Sequence, residues 1–299
     1  MSTQSIADVK NRYANAPKNA DYTIDQDWNS YSEQEHDRWD RLVARQKDIL
    51  PGRACDEFLA ATDTLRLSQK GIPHFGRLSD RLEKLTGWRV VPVADLVPDH
   101  VFFEHLANRR FPAGAFIRPE DEFDYIEEPD VFHDIYGHVP MLANPVFADF
   151  MQAYGEGGLR ALGSGQLHNL ARLYWYTVEF GLIRTDAGLR VYGAGILSSP
   201  QESQFALESD SPNRIGFHLT RIMRTKYRID DFQETYFVID SFEQLLEQCY
   251  RDFDAVYDFL RTASDFEPHE FAPGDDILNR GTRAHALQST KELMSDIHG

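Results

Sequence analysis

The sequence predicts one mainly α domain with small β elements. Apolar residues recur at helical spacing along most of the chain from Ser32 to Thr262. No internal repeat, low-complexity tract or Pro/Gly-rich linker divides residues 30–262. The 299 residues are 42% hydrophobic, enough for one sizeable buried core. Together these observations exclude a fibre and divide the chain into an N-terminal arm (1–25), a domain (26–262) and a polar C-terminal tail (263–299).

The arm is polar and aperiodic, so it is expected to lie over the domain rather than build it. Ser32 and Glu35 have capping-box spacing, Trp39, Leu42, Val43, Ile49 and Leu50 recur on one face, and Pro51-Gly52 stops the run; this predicts a helix. Helical patterns follow around 55–67 and 78–86, the second closing at Gly87. Trp88 to Val97 holds β-branched residues between Gly and Pro and predicts a short strand. In the second half, helices are predicted near 145–161, 167–183, 201–209 and 241–262. The last begins at Ser241 and is striped by Phe242, Leu245, Leu246, Cys249, Phe253, Val256 and Leu260. Short strands are expected near 190–197 and 235–239, and the polar residues after 263 are expected to wrap the domain.

Lys and Arg total 31 against 48 Asp and Glu, a net charge of −17 that opposes attraction to nucleic-acid phosphates or anionic lipid. Small-molecule chemistry becomes the expectation. No run reaches the roughly eighteen apolar residues of a membrane span, and MSTQSIADVKNRYANAPKN lacks the apolar stretch of a secretory signal, so a cytoplasmic protein is expected. Cys55 and Cys249 fall in amphipathic helical patterns, where a thiol is a small buried hydrophobe, and a structural disulfide is not expected.

The densest group of potential metal ligands is PDVFHDIYGHVP, with His133 and His138 five residues apart. On an ideal helix that spacing sets the rings about 140° apart. They share one ion only if His133 lies at a helix entrance or Gly137 distorts the turn. Glu179 sits in LARLYWYTVEFGLI, a segment apolar nearly all round. A buried carboxylate without a partner costs several kcal/mol, so it needs a cation. Arg172 or Arg184 would make an ordinary salt bridge. The two histidines would instead complete a three-ligand face with open positions, as on non-haem Fe(II), with zinc the chemical competitor.

The stretches PDVFHDIYGHVP, LARLYWYTVEFGL, VYGAGILSSPQE and LTGWRVVPV resemble the pterin-dependent aromatic amino acid hydroxylases, specifically their short bacterial phenylalanine-hydroxylating members, with weaker similarity from Asp21 to Phe242. The resemblance implies that the domain is a single hydroxylase catalytic domain using Fe(2+) and a tetrahydropterin to convert L-phenylalanine to L-tyrosine with O2. It implies that His133, His138 and Glu179 hold the iron, and that Phe102, Val97 and Asp134 face the pterin. Arg118, fifteen residues before His133, matches the guanidinium fork that grips the substrate carboxylate; Ser198, Trp175 and Ile229 complete the substrate side. Tyr174 and Glu202 are implied to support the pocket from behind, although Ser199, Pro200 and Glu202 also read as a helix start with Glu202 at the capping-box position.

Two departures stand out. Where many members carry Thr-Pro-Glu-Pro-Asp before the first histidine, this chain has Ile126-Glu127-Glu128-Pro129-Asp130, losing a hydroxyl near the substrate. There is also no room for the long N-terminal regulatory domain of the animal enzymes and no sustained heptad for a tetramer-forming helix, so a monomer is expected. Ile229 aligns where phenylalanine-specific members are apolar and tyrosine-specific members carry aspartate, which favours phenylalanine. The rivals are a tyrosine or tryptophan hydroxylase of the same family, a 2-oxoglutarate oxygenase, whose HxD spacing and strand-rich barrel are missing, and a non-catalytic metal-binding helical protein.

Overall fold

The computed structural model describes residues 12–126 and 128–289. The first long helix, α1 (Glu33–Ile49), begins with the capping box its sequence promises: Glu35 N donates to Ser32 Oγ at 3.2 Å, and Ser32 N donates to Glu35 Oε2 at 2.7 Å. Trp39, Leu42, Val43 and Gln46 form its buried face, and Gln46 Nε2 donates to Leu197 O at 2.6 Å, tying α1 to the centre of the molecule. Helices α2 (Asp56–Thr64) and α3 (Phe75–Thr86) follow, the latter ended by Gly87 at φ 77°, a left-handed cap that glycine adopts without steric cost.

Strand β1 (Arg89–Val93), helix α4 (Asp99–Ala107) and strand β2 (Arg110–Gly114) form a βαβ unit whose two strands pair in parallel. Pro112 is tolerated within β2 because the sheet has only two strands and both are edges. Residues 12–25 lie against this unit: Ile24 N donates to Pro92 O at 2.9 Å, and Tyr13 and Ile24 are buried.

The second half packs helices α5 (Pro145–Ala161) and α6 (Leu167–Tyr174) beside a five-stranded mixed sheet. Asn144 caps α5 by accepting from Val146 N and Phe147 N, both at 3.0 Å, with Pro145 in the first turn. The sheet consists of β3 (Leu182–Thr185), β4 (Gly188–Val191), β5 (Asn213–Gly216), β6 (Thr235–Ile239) and β7 (Ile277–Asn279), in the spatial order β4-β3-β6-β5-β7.

Three sequence expectations change in the structure. The helix expected over 167–183 stops at Tyr174, widens into a π-helical turn over Trp175–Glu179, and gives Leu182-Ile183 to β3. A short buried apolar run reads the same as helix or strand, and the break is at Gly181, where a Cβ would lie 2.3 Å from Thr177 O. The helix expected over 241–262 is two, Phe242–Gln248 and Phe253–Leu260, because Asp252 caps the second by accepting from Asp254 N at 3.1 Å. The strand expected near 190–197 ends at Val191, and Ala194–Leu197 is a helical turn. Residues after 263 contribute β7, antiparallel to β5, so this polar segment completes a sheet edge.

Candidate active site

His133 and His138 lie on a π-helical turn, Phe132–His138. Widening the hydrogen-bond ladder to i→i+5 brings side chains five apart toward one face, which reduces the 140° mismatch of an ideal helix. Gly137 makes room for the turn: a Cβ there would sit 2.9 Å from Ala194 O. Glu179 closes the second π-helical turn, and Gly193 packs so tightly on it that a Cβ would lie 2.4 Å from Glu179 O. The three side chains converge. His133 Nε2 and His138 Nε2 are 3.1 Å apart, His138 Nε2 is 3.1 Å from Glu179 Oε1, and His133 Nε2 is 3.6 Å from Glu179 Oε2.

The salt-bridge alternative for Glu179 is not realised. Arg172 makes a two-point pair with Asp265 at 2.7 and 2.8 Å, and Arg184 reaches Asp240 and Asp276. Burial acts to raise the Glu179 carboxyl, but facing His138 and His133 outweigh it and hold it below the ordinary glutamate value. Burial disfavours charge on His138 as well, yet Glu179 raises that ring. At His133 burial wins, assisted by His138 and against the pull of Glu179, and the imidazole is pushed down to about 4. It is neutral at pH 7, the form that binds metals. Its tautomer is set by Ser198, whose Oγ donates to Ala194 O at 2.9 Å and so accepts from His133 Nδ1–H at 3.0 Å, leaving the Nε2 lone pair aimed at His138 and Glu179.

Two cavities open on this trio. The smaller, about 330 Å³, is lined by Val97, Phe102, Tyr174, Asp134, His133, His138 and Glu179, at the carboxyl ends of the parallel strands β1 and β2. Phe102 is half-buried and sits edge-on to Tyr174 with ring centres 5.8 Å apart. Asp134 accepts from Gly114 N at 2.6 Å, and burial pushes its carboxyl up to about 7. The larger cavity, about 530 Å³, is lined by Arg118, Ile126, Trp175, Ser198, Glu202, Ile229, His133 and Glu179, among others. His133, Glu179 and Pro129 line both, so the two spaces meet at His133 and Glu179, with His138 on the side of the smaller one.

Arg118 is 4% exposed and its fork is held by buried Asp130, with Nε and Nη2 each donating at 2.8 Å. Asp130 also accepts from His133 N at 3.0 Å, so one carboxylate orients the arginine and the first histidine together. Glu202 is not a capping-box acid: its backbone N donates to Ser199 Oγ, but its side chain turns inward and accepts from Tyr236 Oη and from Gln233 N. Gln233 in turn accepts from Trp175 Nε1 at 2.9 Å. Ile229 lines the larger cavity from its rim and is 66% exposed, in no strand.

The family profile described as biopterin-dependent aromatic amino acid hydroxylase matches residues 6–263. The chain belongs to this family. It is 64% identical to a phenylalanine-4-hydroxylase of Caulobacter vibrioides, over 89% of this chain and 90% of that protein. It is 60% identical to one of Ralstonia nicotianae, over 88% and 84% respectively. The iron- and phenylalanine-bound crystal structure of phenylalanine hydroxylase from Chromobacterium violaceum superposes with a TM-score of 0.86 at 51% identity, covering 92% of this chain and all of that one. The mainly helical hydroxylase fold expected from the sequence is therefore the fold observed.

The residues present fit the family's metal. Donors about 2.1 Å from one ion and at right angles to each other stand about 3 Å apart, close to the 3.1 Å of two of the three pairs. Sequence reasoning missed Asp130, which holds Arg118 and the backbone of His133, and Gln233, which holds Trp175. A signal existed for Asp130, a charged residue flanked by Pro129 and the apolar Val131-Phe132; Gln233 gave none.

Proposed function

We propose that this protein is a phenylalanine 4-monooxygenase in which His133, His138 and Glu179 bind one Fe(2+), the smaller cavity takes a tetrahydropterin and the larger takes L-phenylalanine. The observation that carries the reading is the meeting of the two cavities at His133 and Glu179, which supports placing reductant and substrate on either side of one ion. Bound iron and tetrahydropterin supply the activation of O2 and the two electrons the reaction consumes.

The chain's own residues then bind, orient and exclude water. Phe102 offers an aromatic face to the pterin, Val97 an apolar wall, and Asp134, anchored by Gly114 N, an acceptor for its ring N–H groups. Arg118 faces the larger cavity while Asp130 holds two of its nitrogens, so its remaining Nη1 is the group aimed at a substrate carboxylate. Trp175 stacks on Tyr227 at 4.2 Å between ring centres and is pinned by Gln233, giving the substrate ring a fixed aromatic wall. Ser198 keeps His133 in the metal-binding tautomer. Glu202 holds the segment carrying Gln233.

A tyrosine or tryptophan preference finds less support: the relatives 64% and 60% identical to this chain are phenylalanine-4-hydroxylases, and Ile126 and Ile229 make the nearby lining of the larger cavity apolar. A metal-storage role leaves the two cavities without a purpose. We place the protein in the cytoplasm as a monomer. Two free cysteines and the absence of a helix long and apolar enough to cross a membrane among the described residues support the compartment. Light scattering on the eluted protein tests the monomer, which should show the mass of one chain. For the activity, the iron-loaded protein is given a tetrahydropterin, O2 and phenylalanine, tyrosine or tryptophan in turn. Formation of L-tyrosine from phenylalanine is expected to dominate; hydroxylation of tryptophan or tyrosine at equal or greater kcat/KM contradicts the reading.

A further inference from the structure

The C-terminal segment does more than extend the sheet. After β7 it stays flush with the chain before β5: Gly281 N donates to Asn213 Oδ1 at 2.9 Å, Thr282 N to Asp210 O at 2.9 Å, and Arg283 N to Ser211 O at 2.9 Å. A Cβ at Gly281 would lie 2.2 Å from Ser211 O, so only glycine permits this approach. A helix then starts at residue 284, with His285 N donating to Ser211 Oγ at 3.0 Å. This strap carries two side chains back to the wall of the larger cavity. Arg283 Nε donates to Glu234 Oε2 at 3.0 Å, and His285 Nε2 lies 2.7 Å from Asp231 Oδ1. The imidazole also packs between Phe205 and Phe232, with ring centres 5.2 and 5.1 Å away.

Asp231 belongs to residues 229–233, all of which line the larger cavity. These residues are bends and irregular backbone rather than helix or strand, so their shape depends on side-chain ties. On one side Gln233 is tied to Trp175 and Glu202. On the other, Asp231 Oδ1 accepts from His285 and from Phe232 N at 2.7 Å, while Arg228 is more distant, with Nη2 3.9 Å from Asp231 Oδ2. A carboxylate has no proton to give, so the hydrogen in the short contact comes from His285 Nε2.

We propose that His285 is a positioning residue for the amino acid substrate: its N–H···Asp231 hydrogen bond latches the 229–233 wall so that the larger cavity is shaped before phenylalanine enters. His285 does not line that cavity and acts only through Asp231 and Phe232. The inference rests on the reading of the larger cavity as the amino acid site. A wall that must be ordered at binding lowers substrate affinity, whereas one already held does not.

Two variants separate the ring from its proton. His285→Phe keeps an aromatic ring between Phe205 and Phe232 and loses the donor; His285→Gln keeps an N–H donor at similar reach and loses the ring. In the iron-loaded, full-length enzyme His285→Phe is expected to raise the phenylalanine KM about three- to tenfold, the worth of one net hydrogen bond, with kcat and pterin KM within about twofold of wild type. His285→Gln is expected to lie nearer to wild type. Hydrogen exchange without substrate should be faster over 228–234 in His285→Phe and unchanged over 33–49. A wild-type phenylalanine KM in His285→Phe, an equal rise in pterin KM, equal impairment of both variants, or unfolding of both overturns the latch. Slowing of exchange over 228–234 by phenylalanine in the wild type tests the cavity assignment separately. Its absence sinks that assignment, whereas the exchange difference between the free proteins reports on the latch alone.

Discussion

Replacing Glu202 by glutamine should make the protein less sensitive to alkaline conditions. Glu202 is 6% exposed, and burial pushes its carboxyl from 4.5 up to about 7, against hydrogen bonds from Tyr236 and Gln233 N. In the unfolded chain the group ionises near the ordinary value, so between pH 4.5 and 7 the folded state holds a proton that the unfolded state has lost. Stability then falls as pH rises through this window and levels off above it, because both states are ionised there. The interval corresponds to about 3 kcal/mol in all, most of it falling between pH 5 and 8. The glutamine carbonyl still accepts from Tyr236 and Gln233 N, so the pH-independent interactions survive. The assay is calorimetric melting of the metal-stripped wild type and Glu202→Gln at half-unit steps from pH 5 to 8. Other groups titrating in the window cancel in the difference. The wild type should lose about 4 °C more than the variant across that range, given the entropy of unfolding of a chain this size. Parallel profiles, or a variant that loses more than the wild type, would show that Glu202 is ionised in the folded protein and refute the reasoning.

Phe102→Ala should raise the pterin KM several-fold, from about 0.5–1.5 kcal/mol of lost aromatic contact, and leave the phenylalanine KM unchanged; steady-state kinetics with each substrate varied decides it. Arg118→Lys keeps the charge but cannot hold both oxygens of buried Asp130, so both Tm and kcat/KM for phenylalanine should fall, the latter by at least about tenfold. Retention of either measured value would show that the fork is dispensable. Ile229→Asp should shift the phenylalanine-to-tyrosine kcat/KM ratio toward tyrosine by less than about tenfold, because a side chain 66% exposed at the rim cannot impose the desolvation cost of a buried hydroxyl. A hundredfold shift would mean that this wall closes over the substrate.

The helices with explicit punctuation were legible in the sequence. Ser32 with Glu35, Gly87 and Asn144-Pro145 each mark a boundary within a few residues of the one observed. The βαβ unit that frames the smaller cavity was not: β2 is five residues with a proline, and its pairing with β1 is a long-range fact that no local pattern carries. The π-helical turn at Glu179 was also hidden, and the one at His138 was legible only as the alternative of a turn distorted at Gly137. The close packing around them joins segments about 60 and 15 residues apart, Gly137 against Ala194 and Gly193 against Glu179. Spacing alone therefore left His133 and His138 about 140° apart; the need of a buried Glu179 for a cation suggested the trio, and the resemblance specified it. The polar region after residue 263 gave no sign of a strand, because β7 is three residues at a sheet edge with little apolar area to bury.

The most direct test of the account is iron stoichiometry measured together with product formation in Glu179→Gln. The amide keeps the size of the side chain but removes the negative charge that faces His138 at 3.1 Å. The wild type should bind one Fe(2+) per chain and form L-tyrosine from phenylalanine only with a tetrahydropterin present. Glu179→Gln should lose at least tenfold in iron affinity and in tyrosine formation, about 1.4 kcal/mol or more, while keeping its fold by circular dichroism. Full iron occupancy with wild-type turnover in this variant would contradict the assignment of His133, His138 and Glu179 as the centre of the reaction.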